Sequence, residues 1–143
     1  MLLSTLALAG DSQIKTWKRN AARTRVAVLP FPEATSDVLT IQPLKNSLKV
    51  SWSTVDTQGR TIHGEFTANY DGREYPIKGN ADADTVSVRR IDEKTTDYSY
   101  KRGGKEVMRE RAVIAADGTL TLTQTCKNAK GEEFTVITHW DRR

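Results

Sequence analysis

Residues 61–70, TIHGEFTANY, alternate without a break: Ile62, Gly64, Phe66, Ala68 and Tyr70 point one way, and Thr61, His63, Glu65, Thr67 and Asn69 the other. Period-two alternation is the pattern of a strand with one face in a core and one in water. Asp71-Gly72 ends the run with a turn dipeptide, Tyr75-Pro76 opens a shorter run, and Gly79-Asn80 breaks that one. Val86 and Val88 then mark one face of a third run, from Thr85 to Ile91.

The same grammar holds on both sides of this stretch. Before it come Ile14 to Asn20, with Trp17 as the bulky apolar residue, and Val38 to Gln42, closed by Pro43 and a Lys45-Asn46 turn. Leu48 to Val55 follows, setting Leu48, Val50 and Trp52 against Lys49, Ser51 and Ser53. After it, Tyr98 and Tyr100 share a face of Thr95 to Lys101, Gly103-Gly104 leads into Lys105 to Ala115, and Asp117-Gly118 reverses the chain. Leu120, Leu122, Gln124 and Cys126 then oppose Thr119, Thr121, Thr123 and Thr125, and Phe134, Val136, Thr138 and Trp140 line the last run. Ala21 to Ser36 is irregular, and its Pro30 and Pro32 rule out a central strand or helix, so it reads as a crossing segment or lid over one end.

About eight to ten strands at hairpin spacing, with no convincing helix, predict an antiparallel up-and-down meander. Left flat, such a sheet exposes two long edges, and a sandwich needs crossover connections that are scarce here. Closure into a barrel solves the edge problem, so the predicted fold class is an all-β closed barrel. Residues 14–143 form its single domain. Residues 1–13 are either the remnant of an export signal, on the strength of MLLSTLALA at Met1 to Ala9, or an ordinary N-terminal extension. The first alternative implies a periplasmic or secreted protein, the second a cytoplasmic one.

Composition narrows the function. The net charge of +4 comes from 22 Lys and Arg scattered among 18 Asp and Glu, with no basic block or stripe, which argues against a nucleic-acid partner. A single cysteine, Cys126, excludes an internal disulfide and a cysteine zinc cluster, and two histidines leave little material for a metal site. No metal, no cofactor and no membrane span are expected, and the chain is expected to be a monomer or weak dimer.

Three segments carry a family resemblance: Lys15-Thr16-Trp17 near the start, YDGREYPIKGNADADTVSVRRID at residues 70–92, and Trp140-Asp141-Arg142-Arg143 at the end. They resemble the calycin group, the lipocalins and fatty-acid-binding-like barrels, and more specifically small exported bacterial lipocalin-like proteins of largely unassigned function. Lipocalins place a Gly-x-Trp on the first strand and a basic residue late in the chain that packs over that Trp. Here Lys15 stands where the glycine would be. The resemblance implies a barrel interior that takes a small molecule, with an inward Arg beside Tyr to anchor a carboxylate.

Alternation places Trp52, Phe66, Tyr70, Arg90, Gln124 and Thr138 on the inner face with Leu48, Val86, Leu122 and Val136, and Tyr98 and Tyr100 join them. A barrel of this size holds one small ligand, and an apolar lining with a few polar groups is what such a site requires. Arg90 either anchors a carboxylate or sits at a strand end with its head in water. Arg109 and Arg111 are two-sided. Either they face inward as a clamp, or Glu110 faces in and both are solvated. Val107 and Val113 share the Arg face and Met108, Ala112 and Ile114 the Glu face, so the apolar residues do not decide. His63 and His139 fall on polar faces, Cys126 reads as a small buried hydrophobe, and Asp82 and Asp84 offer too few oxygens for calcium.

The expected function is binding of a small apolar or amphipathic molecule in the barrel interior, without catalysis. An alternative is an isomerase or cyclase of a hydrophobic substrate, with Tyr98, Tyr100, Glu110 and Arg90 as its available titratable groups. Another is a filled barrel acting as an envelope interaction module.

Overall fold

A computed structural model of the chain describes residues 14–20, 34–79, 82–127 and 130–143. The expected signal or extension at 1–13 and residues 21–33 of the expected lid lie outside the described residues, whereas Ala34 to Ser36, also expected in the lid, belong to a strand. Ten strands follow in order: β1 (Lys15–Arg19), β2 (Ala34–Pro43), β3 (Ser47–Asp56), β4 (Thr61–Asn69), β5 (Tyr75–Lys78), β6 (Thr85–Arg90), β7 (Thr95–Arg102), β8 (Lys105–Ile114), β9 (Leu120–Lys127) and β10 (Glu133–Arg142). Each pairs antiparallel with its sequence neighbour, and β1 also pairs with β10, which closes the sheet into a barrel. The predicted all-β closed meander is the observed fold. No helix among the described residues is long and apolar enough to cross a membrane.

Strand boundaries follow the turn chemistry. Asp71-Gly72 reverses the chain between β4 and β5, with Gly72 at φ 75° and the Asp71 carboxylate accepting from the Arg73 amide at 3.0 Å. Asp117 accepts from the Thr119 amide at 2.9 Å in the same manner before β9. Pro43, expected to end its strand from outside, is instead the last residue of β2 and stands opposite Leu48.

The alternating residues make one continuous core. Trp17, Leu48, Val86, Val88 and Leu120 are the largest fully buried side chains, and Phe66, Ala68, Tyr98, Leu122 and Trp140 pack with them. Gly64 is explained by its neighbour. It stands directly across from Trp52, whose indole lies so close that a Cβ at position 64 would collide with Cζ2 and Cε2. A glycine inside a strand commonly marks such a close approach.

One end of the barrel gathers the turns at 44–46, 70–74, 91–94 and 115–119 with the start of β1 and the end of β10. There the buried Trp17 donates from Nε1 to the Gly118 carbonyl at 3.0 Å. Arg142 is the cross-strand partner of Trp17, and its side chain runs beside Gly118. First strand, last strand and an intervening turn therefore meet at a single point.

A bulge in β8 decides which face of that strand looks inward. At the β7–β8 hairpin Arg102 pairs with Lys105 and Lys101 with Glu106, but the next pair is Tyr100 with Met108. Val107 is the extra residue. Beyond it Tyr98 stands opposite Glu110 and Asp97 opposite Arg111. Without the bulge Arg109 would face Tyr98.

Candidate functional site

Glu110 is buried on the inner face of β8, only 9% exposed. Register sets it between Tyr98 on β7 and Gln124 on β9. Gln124 donates from Nε2 to its Oε2 at 2.6 Å, and the Tyr100 hydroxyl points at Oε1 over a long 3.4 Å. Around this carboxyl stands an aromatic wall. Phe66 meets Tyr98 edge-on with centroids 6.2 Å apart and Tyr100 likewise at 6.3 Å, Tyr98 and Tyr100 stack at 6.3 Å, and Trp52 tilts against Phe66 at 6.2 Å. These separations are those of favourable aromatic pairs.

The electrostatics follow from that setting. Burial pushes the Glu110 carboxyl above its ordinary range, against the opposing pull of the bonds from Gln124 and Tyr100. Burial, reinforced by Glu110, also raises the Tyr98 and Tyr100 phenols and the Cys126 thiol. Glu110 has no cationic partner among the described residues. The other buried carboxyl, Asp56, shows the contrast: it accepts from the amides of Gln58 at 2.9 Å and Arg60 at 2.8 Å and from Arg60 Nε at 2.7 Å. The Arg60 amide is the main reason its carboxyl is held below the usual range.

The structure sorts the sequence-predicted residues into two groups. Trp52, Phe66, Tyr98, Tyr100 and Gln124 come together around Glu110. Tyr70 is half-buried on the same inner face but at the end of the barrel that holds Trp17. Thr138 is buried and already engaged, its hydroxyl accepting from Trp140 Nε1 at 2.8 Å.

The three arginines are corrected. Arg90 is exposed at the end of β6, its guanidinium 5.8 Å from the centroid of the Tyr70 ring, because the inward face runs out where the strand meets the 91–94 turn. Arg109 and Arg111 face solvent because the Val107 bulge turns Glu110 inward in their place. Their side chains are 56% and 55% exposed, and each holds an outer-face carboxylate: Arg109 binds Glu106 at 3.1 Å and Glu133 at 3.2 Å, and Arg111 binds Asp97 at 2.7 Å. No inward arginine clamp exists among the described residues.

Sequence reasoning gave Glu110 only to the alternative, enzymatic reading. The signal that would have placed it is Asp97 with Arg111, a charge pair across the hairpin whose match requires one extra residue in β8.

His63 is exposed, and His139 is half-buried with Nδ1 3.3 Å from the Thr121 hydroxyl. Among the described residues no three His, Cys, Asp or Glu side chains converge on a metal-sized point. No protein family matches this chain in sequence, and no curated protein does.

Proposed function

We propose that this protein is a lipocalin-like binding protein whose barrel interior takes a small apolar or amphipathic molecule. The observation that carries the reading is the interior itself, a wall of Trp52, Phe66, Tyr98 and Tyr100 around a buried carboxyl that has no counter-charge among the described residues. A core built only for stability has little use for such a group, because burying a carboxyl without a cation costs free energy. Aromatic surface with a few convergent polar groups is what small-molecule sites generally present. The meeting of Trp17, Gly118 and Arg142 supports the lipocalin likeness, since it sets a first-strand Trp opposite a last-strand basic residue.

Native mass spectrometry of the gently purified protein tests the reading. The expected result is an adduct of a few hundred daltons, the size such sites hold, released on denaturation. A clean apo mass, together with failure of apolar fluorescent dyes to bind, would overturn it in favour of a filled barrel. Glu110 also favours a second reading, catalysis by a buried acid with Tyr100 in reach. There, turnover of a bound hydrophobic substrate would be lost in Glu110→Gln.

A further inference from the structure

We propose that the interior selects ligands with a cationic amine head, seated on Glu110 and boxed by Phe66, Tyr98 and Tyr100. The inference rests on the interior-binding reading and goes beyond it by naming the head group. Its ground is a mismatch of charge. Among the described residues the buried charged side chains are Asp56 and Glu110, both acidic, and Asp56 already has Arg60. Arg90, Arg109 and Arg111 all point outward, so among the described residues no buried cation neutralises a ligand carboxylate. An ammonium head supplies the missing counter-charge and donates charge-assisted hydrogen bonds to the carboxylate oxygens. Phe66, Tyr98 and Tyr100 pack together beside this carboxyl, and aromatic rings beside a carboxylate are the chemistry by which ammonium groups are held. The apolar tail of the ligand then covers Trp52 and the aliphatic core.

Binding moves a proton. Glu110 lies in apolar surroundings that favour its neutral form, whereas the ammonium needs the carboxylate. The ligand enters already protonated, the carboxyl O–H bond breaks, and that proton leaves to solvent, one for each ligand bound to a protonated Glu110. The other titratable groups facing Glu110 are Tyr98 and Tyr100 from β7 and Cys126 from β9, all held neutral by burial. Arg109 and Arg111, beside it on β8, face the opposite way with their own carboxylates.

The test compares octylamine, octanol and octanoate, equal in tail and different in head, by calorimetric titration over a pH series that starts near 4.5, in buffers of different protonation enthalpy. Octylamine is expected to bind about tenfold or more tighter than octanol, the scale of one charge-assisted hydrogen bond, with proton release, and octanoate is expected to bind weakest. Glu110→Gln keeps the shape and an acceptor for Gln124, and is expected to abolish the amine preference over octanol and the proton release. Octanoate binding as tightly as octylamine, amine binding to the wild type without proton release at any pH of the series, or an amine preference intact in a folded Glu110→Gln protein would each overturn the proposal. Octanol binding without amine preference sinks the head-group assignment alone. Failure of all three probes on folded protein sinks the interior-binding reading with it.

Discussion

At the scale of the residue, two buried carboxyl groups sit in opposite states, and the difference is set by their neighbours. Asp56 is a turn residue whose charge is wanted, met by two amides and a guanidinium. Glu110 is an interior residue whose charge has no cationic partner among the described residues. Its effect on stability has a definite sign. Unfolded, it titrates near its ordinary 4.5, and folded, it titrates higher. Below the lower value both states hold the proton. Between the two, the unfolded chain releases it while the native chain keeps it, so stability falls as pH rises, by at most about 1.4 kcal/mol per pH unit. Above the folded value the loss is complete. Urea unfolding of the wild type and Glu110→Gln over a pH series should therefore show a gap that opens above 4.5 in favour of the variant and then levels. The lowered carboxyls of Asp71, Asp92 and Asp97 act with opposite sign in acid, but equally in both proteins, so they cancel in the difference. A gap independent of pH would show that Glu110 titrates normally. Gly64 makes a steric statement of equal clarity. Gly64→Ala drives a methyl into the Trp52 indole, and overpacking of this kind costs about 1–3 kcal/mol. The denaturation midpoint should fall and Trp52 fluorescence should shift, whereas pairing the change with Trp52→Leu should restore most of the stability.

At the scale of the element, alternation and turn dipeptides carried nearly the whole fold, because each strand buries one face and each turn needs Gly, Asn or Asp. β4, β6, β9 and β10 lie within a residue or two of where period two puts them. What alternation left open was β8, and the reason is physical. Its two faces carry similar apolar content, so hydrophobicity does not choose between them, and the choice falls to a single inserted residue. A one-residue slip exchanges every side chain between core and solvent. The facing of Glu110, and with it the character of the candidate site, therefore depends on the backbone at Val107 and not on any property of Glu110. Deleting Val107 makes the point testable. The deletion removes the unpaired residue and leaves Tyr98 opposite Glu110 and Asp97 opposite Arg111, so the inward facing of Glu110 is expected to survive in a regular hairpin. The expected outcome is a cooperative unfolding transition retained by circular dichroism. Loss of that transition would mean that the barrel needs the bulge for more than the register of β8. Arg90 failed for a different reason: parity was right, but the strand ended beneath it.

At the scale of the whole molecule, the meander is local everywhere except at its closure. Consecutive strands meet across short turns for most of the chain, whereas β1 must find β10 from the far end of the sequence. The bond from Trp17 to the Gly118 carbonyl spans 101 residues and ties that seam to the 115–119 turn. Closure is also what leaves β1 and β10 without free edges, so the seam protects against association as well as unfolding. Contacts of long sequence separation carry a loop-closure cost before they return any stability, so the β1–β10 seam should form after the hairpins and lie on the native side of the folding barrier. Trp17→Phe keeps a ring in the buried site and removes the indole N–H, leaving the Gly118 carbonyl without that donor. Loss of one such bond costs about 1 kcal/mol, which at a late-forming site accelerates unfolding about fivefold and leaves the refolding rate unchanged. Stopped-flow unfolding and refolding in urea separates the two rates. A refolding rate that drops with the unfolding rate unaltered would place the seam in the folding nucleus, and the barrel would then have to be built outward from its closure.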